Sequence, residues 1–269
     1  MTDAPVHQKL QPQFLLLVFL VSIGFFMQGL DTTIINTALP TIAKDLNEDP
    51  LRMHGLIISY VLSVAVCIPL SGWLADRFGI RNTFFAAIVI FTFASLGCAL
   101  SHSFYSLISF RVIQGIGGAL LMPVGRLAML RLIPREQFLS AMSIMSLAGL
   151  LGPLTGPILG GWLVEYMSWH WIFLINLPMG LLGMFMAFKI MPNRTESNVK
   201  KFDLSGFILL MIAMAGMALG IENMASHEVS GTLSIGLFIS GFIAAFLYAW
   251  HAQHHTNAFF QCKLFKNRI

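Results

Sequence analysis

Charge is scarce in this sequence. Only 10% of its 269 residues are Asp, Glu, Lys or Arg, while 57% are hydrophobic; soluble domains average about 25% charged and roughly 45–50% apolar. Too few solvated groups remain to cover a globule, so the chain reads as an all-α integral membrane protein. Cysteine is scarcer still. Cys67, Cys98 and Cys262 stand far apart, the first two inside apolar runs, which excludes a disulfide frame or zinc spacing. No signal-peptide layout is expected, because the first apolar run is too long and no A-x-A site follows it. Paired carboxylates, metal-spaced histidines and a nucleophile facing a base are also missing, which argues against an intramembrane enzyme. His251, His254 and His255 cluster on paper, but they lie just past the last apolar run and read as interfacial, with no metal expected.

What is present is hydrophobic length. Runs of about twenty residues, enough to cross ~30 Å of hydrocarbon, fall near 14–36, 56–75, 83–101, 105–125, 139–161, 171–190, 204–223 and 232–250, giving eight spans. Lys and Arg sort between the two sets of connections. Thirteen fall on one side, from Lys9 through Arg77, Arg81, Arg126 and Lys189 to Arg268, and only Lys44 and Arg52 on the other. Basic residues stay inside, so both termini are expected in the cytoplasm. Six spans in two groups of three form residues 1–191, a polar linker follows at 192–203, a two-helix hairpin at 204–250, and a basic tail at 251–269. Three-plus-three inverted repeats build one half of many secondary transporters.

Several residues sit where hydrophobicity alone does not explain them. Arg111 lies inside the fourth span and cannot shed its charge; it either snorkels to the headgroups or faces a buried partner. Gln114, one turn inward on the same face, favours a polar cavity. The expected partner is Asp31, about five residues from the outer end of its span while Arg111 is about six from the end of its own, so both lie at similar depth. Burial favours the neutral acid and an arginine the carboxylate, an opposition that suits proton exchange; a static pair holding two helices is the plainer alternative. The loop Gly72-Trp73-Leu74-Ala75-Asp76-Arg77-Phe78-Gly79-Ile80-Arg81 needs Gly79 for its turn, and topology explains Arg77 and Arg81. Asp76 is left over, and it can latch the arginines or a helix N-terminus.

The segment Gly149 to Gly161 carries Gly152, Gly156 and Gly160 every fourth residue, a bare stripe on which another helix can lie close. Pro153 and Pro157 form a second stripe and bend the helix. Gly161 ends the run.

These stretches resemble the major facilitator superfamily, in its fourteen-helix drug:proton antiporter branch. Asp31-Thr32-Thr33-Ile34-Ile35-Asn36-Thr37-Ala38-Leu39-Pro40 is similar to the branch's first-helix motif, Gly72 to Arg81 to the loop between helices two and three, and Arg111, Gln114 and Gly115 to the fourth-helix motif. Gly152, Gly156, Pro157, Gly160 and Gly161 resemble the antiporter signature of helix five, and Trp169-His170-Trp171-Ile172-Phe173-x-x-Asn176-x-Pro178 the start of helix six. The resemblance implies a six-helix half plus a linking hairpin in the bacterial inner membrane. Drugs or other small amphipathic compounds would be exported against protons, with the proton gradient as energy source and no cofactor. Asp31 and Arg111 would carry proton coupling, Gln28, Asn36 and Gln114 would line the cavity, and Gly72 to Arg81 would gate the cytoplasmic face. Ile80, Asn82 and His170 depart from residues common in the family. The sequence ends near Ile269, where a ninth helix is expected to begin, so the glycine groove and the latch are expected to lack the opposite half they would meet. The alternatives are a non-transporting fragment or interaction subunit whose groove self-associates, and transport of a sugar or metabolite.

Overall fold

A computed structural model describes residues 11–193, 195, 199, 201–226 and 231–254. Among these every regular element is helical, as the bilayer requires of a chain that must satisfy its own backbone. In order they are α1 (Pro12–Asp45), a 3-10 turn (Pro50–Met53), α2 (His54–Cys67), α3 (Leu70–Phe78), α4 (Ile80–Ala99), α5 (Phe104–Leu132), α6 (Arg135–Tyr166), α7 (Trp171–Leu174), α8 (Asn176–Ile190), α9 (Leu204–Ser226) and α10 (Gly231–His254). Among the described residues, eight segments are long and apolar enough to cross a membrane. The chain forms two compact units, 1–196 and 197–269.

Several boundaries differ from the sequence expectation, and proline accounts for two breaks. The second span is not continuous: Pro69 has no N–H to donate, and the helix breaks between α2 and α3. The first helix does not end at 36 but runs through Pro40 to Asp45. Pro178 produces a further break. It cannot bond the Leu174 carbonyl four residues back, so α7 stops at Leu174 and α8 starts afresh at Asn176.

Within the first unit α1 packs along α6 and α2 along α5, while α4 lies between α5 and α8. Counting spans, the first meets the fifth, the second meets the fourth, and the third meets the sixth. Exchanging the two groups of three leaves that set of pairs unchanged, as an inverted repeat demands. Glycine brings the backbones together in both equivalent seams. A Cβ on Gly152 would stand 2.7 Å from the Phe26 carbonyl oxygen, and one on Gly115 2.7 Å from that of Tyr60. Methyl groups there would collide with main chain, which cannot swing aside.

The core of this unit is divided. One apolar cluster takes Leu17 to Met27 of α1, Ile80 to Phe91 of α4, Leu120 to Met129 of α5 and Met186 of α8. The other takes Leu30 to Ala43 of α1, Cys98 of α4, Phe104 and Leu107 of α5 and Phe173 of α7. Between or at the border of these layers, on four helices at once, stand Asp31, Ser95, Arg111, Gln114 and Asn176.

In the second unit α9 and α10 pair through glycine as well. A Cβ on Gly241 would lie 2.5 Å from the Met217 nitrogen and one on Gly220 2.7 Å from that of Phe238, whereas Gly231 and Gly236 face open space.

Candidate functional site: a buried carboxylate cage

Asp31 and Arg111 meet in the polar layer. Arg111 Nη1 donates to Asp31 Oδ2 at 2.7 Å, with both side chains about 1% exposed. Nη1 also donates to Gln114 Oε1 at 2.7 Å, and Nε donates to the Leu56 carbonyl at 3.2 Å. The guanidinium lies 4.2 Å over the Tyr60 ring, a cation–π contact that offsets part of its lost hydration. Gln114 returns along the same face of α5: its Nε2 donates to Asp31 Oδ1 at 2.8 Å and to Ser95 Oγ at 2.6 Å. Asn176, at the start of α8, donates Nδ2 to Ser95 Oγ at 3.1 Å and to Asp31 Oδ1 at 3.4 Å. Asp31 therefore accepts three N–H groups and touches no solvent. Arg111 Nη2, Tyr60 Oη and Asn176 Oδ1 are buried and find no hydrogen-bond partner among the described residues.

The other expected residues divide. Gln114 is fully enclosed. Gln28 is nearly buried. Asn36 is exposed and donates back to the Thr33 carbonyl at 3.3 Å. Gly152, Gly156 and Gly160 face α1, where Thr33 and Thr37 bring their hydroxyls against Gly156 and Gly160. The expectation that this groove waits for an opposite half is corrected: α1 fills it, and no bare stripe is left there for self-association. Pro157 and Gly161 point outward, and Gly161 has nothing within 4 Å of an added Cβ.

Asp76 also finds its partner inside the unit, and from an unexpected helix. Its Oδ1 accepts from Arg131 Nη2 of α5 at 2.7 Å, with the two side chains 38% and 31% exposed. Gly79 adopts φ 86°, a left-handed region that favours glycine, and Thr83 Oγ1 ties the turn to the Leu74 carbonyl at 3.0 Å. Arg77 and Gly72 are exposed, and the Arg81 guanidinium lies 5.6 Å from the Phe188 ring centroid. At the other end Trp169 Nε1 donates to Asp45 Oδ2 at 2.8 Å and stacks on His170. Burial holds His170 below its ordinary value, against the pull of Asp45.

The histidine expectation is also corrected. His251 does not lie past the last helix but inside α10, where it is buried, its Nε2 2.9 Å from Asp203 Oδ2. Asp203 also caps α9, accepting from the Gly206 amide at 2.9 Å. Burial pushes this carboxyl up, but the bonds from Gly206, His251 and Ser205 outweigh it and hold the group below its usual range. His254 Nδ1 lies 2.9 Å from the Trp250 carbonyl oxygen, and His255 lies outside the described residues.

Sequence reasoning missed the roles of Ser95, Tyr60, Arg131 and Asn176 in these clusters. Neutral polar residues give no signal by themselves, although Pro178 marks the break at which Asn176 stands.

This fold is that of solved membrane transporters. It is similar to the crystal structure of a D-xylose-proton symporter (TM-score 0.57, 15% identity, covering 88% of this chain and 67% of that one). It is similar also to a bacterial homolog of the human lysosomal transporter Spinster, solved inward-facing and unoccupied (TM-score 0.55, 18% identity, 88% and 60% covered). Residues 21–250 match the profile of the Major Facilitator Superfamily, and the chain belongs to that family of transporters, not of enzymes. It is 50% identical over 268 residues to proteins named "Putative multidrug resistance protein MdtD" from Klebsiella pneumoniae (strain 342) and Escherichia coli O81 (strain ED1a). The alignment takes in 100% of this chain and 55% of each relative, so the chain spans about half the length of the curated relatives it matches.

Proposed function

We propose that this chain is the N-terminal part of a proton-coupled antiporter that exports drugs or other small amphipathic compounds across the bacterial inner membrane. Residues 1–191 serve as one rocking half, 192–203 as the cytoplasmic linker, and 204–250 as an inserted hairpin, with both termini in the cytoplasm. One observation carries the reading. Asp31 is a carboxylate sealed between two apolar layers and held only by N–H donors, one of them a permanently charged guanidinium. Buried ion pairs stabilise little against apolar replacements of similar volume, which favours a functional reason for keeping this one. Protonating Asp31 removes its charge from Arg111, weakens the seam between α1 and α5, and couples proton uptake to rocking against the second half. The names of the relatives support a drug cargo, and the distribution of Lys and Arg supports the orientation.

The test is Asp31→Asn in the complete protein, reconstituted in liposomes with a pH-sensitive dye inside. Substrate-driven proton movement is expected to vanish while substrate binding persists. Undiminished proton movement would refute the assignment.

A further inference from the structure

We infer that Asn176 is a positioning residue that lets the cage hold Asp31 in both charge states by rotating its side-chain amide. The inference rests on the reading of Asp31 as the proton carrier. The ionised state is the one just described, in which Oδ1 accepts from Gln114 and Asn176 and Oδ2 from Arg111. A carboxylate only accepts, so the Asn176 nitrogen must face it. Adding a proton creates an O–H among donors, with no acceptor in reach as the cage stands.

Few atoms can supply one. The Leu56 carbonyl is engaged by Arg111 Nε. Gln114 Oε1 is held by Arg111 Nη1 at 2.7 Å, and turning that amide would press its NH2 against the guanidinium. Asn176 is different because its Oδ1 is buried with no partner. A half-turn about the last side-chain bond puts Oδ1 where Nδ2 stands, within reach of Asp31 Oδ1 and Ser95 Oγ. The Ser95 hydroxyl, able to donate or accept, reverses its role. The NH2 moves to the place the carbonyl left, where Oδ1 has no partner. The charge on Asp31 then decides the orientation. The chemical step is the gain of one solvent-derived proton by Asp31 Oδ1, with no other bond made or broken.

The titratable groups facing Asp31 are Arg111 from α5, Tyr60 from α2 and Cys98 from α4; α6, α7 and α8 send none into the cage. Tyr60 Oη and, one turn from Asp31 on α1, Gln28 Oε1 are the competing acceptors, since both are also buried without a partner.

The experiment is infrared difference titration of the complete protein in lipid, following the protonated-carboxyl stretch that disappears in Asp31→Asn. In Asn176→Leu the midpoint of that band is expected about one pH unit lower, a roughly tenfold weaker hold on the proton, and the band is expected at higher frequency for want of an acceptor. The 3.4 Å donor lost by the ionised form is a long contact and pulls the midpoint weakly the other way. An unchanged midpoint and band overturn the inference, as does the same displacement in Tyr60→Phe but not in Asn176→Leu. Should Asn176→Leu fail to fold, nuclear magnetic resonance of the Asn176 NH2 in the unsubstituted protein decides instead. Its signals move with the Asp31 midpoint if the amide rotates and stay fixed if it does not. A wild-type protein with no Asp31-dependent band would defeat the proposed function itself, an outcome distinct from either of these.

Discussion

Two Asp–Arg pairs in the first unit have the same contact distance, 2.7 Å. Asp31–Arg111 is about 1% exposed and sits among further hydrogen bonds, whereas Asp76–Arg131 is a third exposed at the unit's edge. Water makes them different objects. The outer pair is screened by solvent and salt and adds little to stability. The inner one exchanges lost hydration for a fixed set of partners, so removing either ion leaves the other stranded. Distance alone does not rank them, and Asp203–His251 of the second unit, with 4% and 11% exposure, falls between.

Substitution should separate the three in that order. Asp31→Ala is expected to cost about 3–5 kcal/mol, because it strands Arg111 in the apolar layers, and thermal unfolding in detergent checks it. Replacing Asp31 with Leu and Arg111 with Met together should return much of that stability without restoring proton movement, which separates the pair's structural value from its functional one. For the middle pair, His251→Ala should cost about 1–3 kcal/mol through the lost charge-assisted bond. Because the folded Asp203 carboxyl lies below its ordinary value of 3.8, its stabilisation is complete above that pH and is lost as pH falls toward the lower folded value. The hairpin of His251→Ala should therefore show less destabilisation on acidification between pH 5 and 2 than the parent, as read by amide hydrogen exchange. Asp76→Asn should change stability least, by less than about 1 kcal/mol, and the difference should shrink in high salt. A large, salt-insensitive loss there would mean that the outer pair is enclosed in the working protein.

Much of this arrangement was legible in the sequence, for identifiable reasons. Hydrophobic length gives the spans, and an arginine that cannot be neutral inside one of them demands an acid such as Asp31. The depth estimate behind that pairing was flawed, since α1 continues to Asp45. The two charges meet because α1 and α5 pack side by side, with a long arginine to close the gap. The glycine stripe announced a close backbone approach but could not say whose backbone, and α1 took the place reserved for a second half. Arg131 was hidden because topology already explains a basic residue there. His251 was hidden because its partner lies 48 residues away, beyond what spacing within one helix can reveal.

The two apolar layers that enclose the cage have an electrical consequence. Hydrocarbon-like layers are where most of a membrane voltage drops, so a proton reaching Asp31, as proposed, would cross part of that field. Moving one elementary charge through all of it is worth ~2.3 kcal/mol per 100 mV, and Asp31 receives the share set by its depth. In the proposed role of Asp31 as proton carrier, its occupancy would respond to voltage as well as to pH, even with no substrate bound and no helix moving.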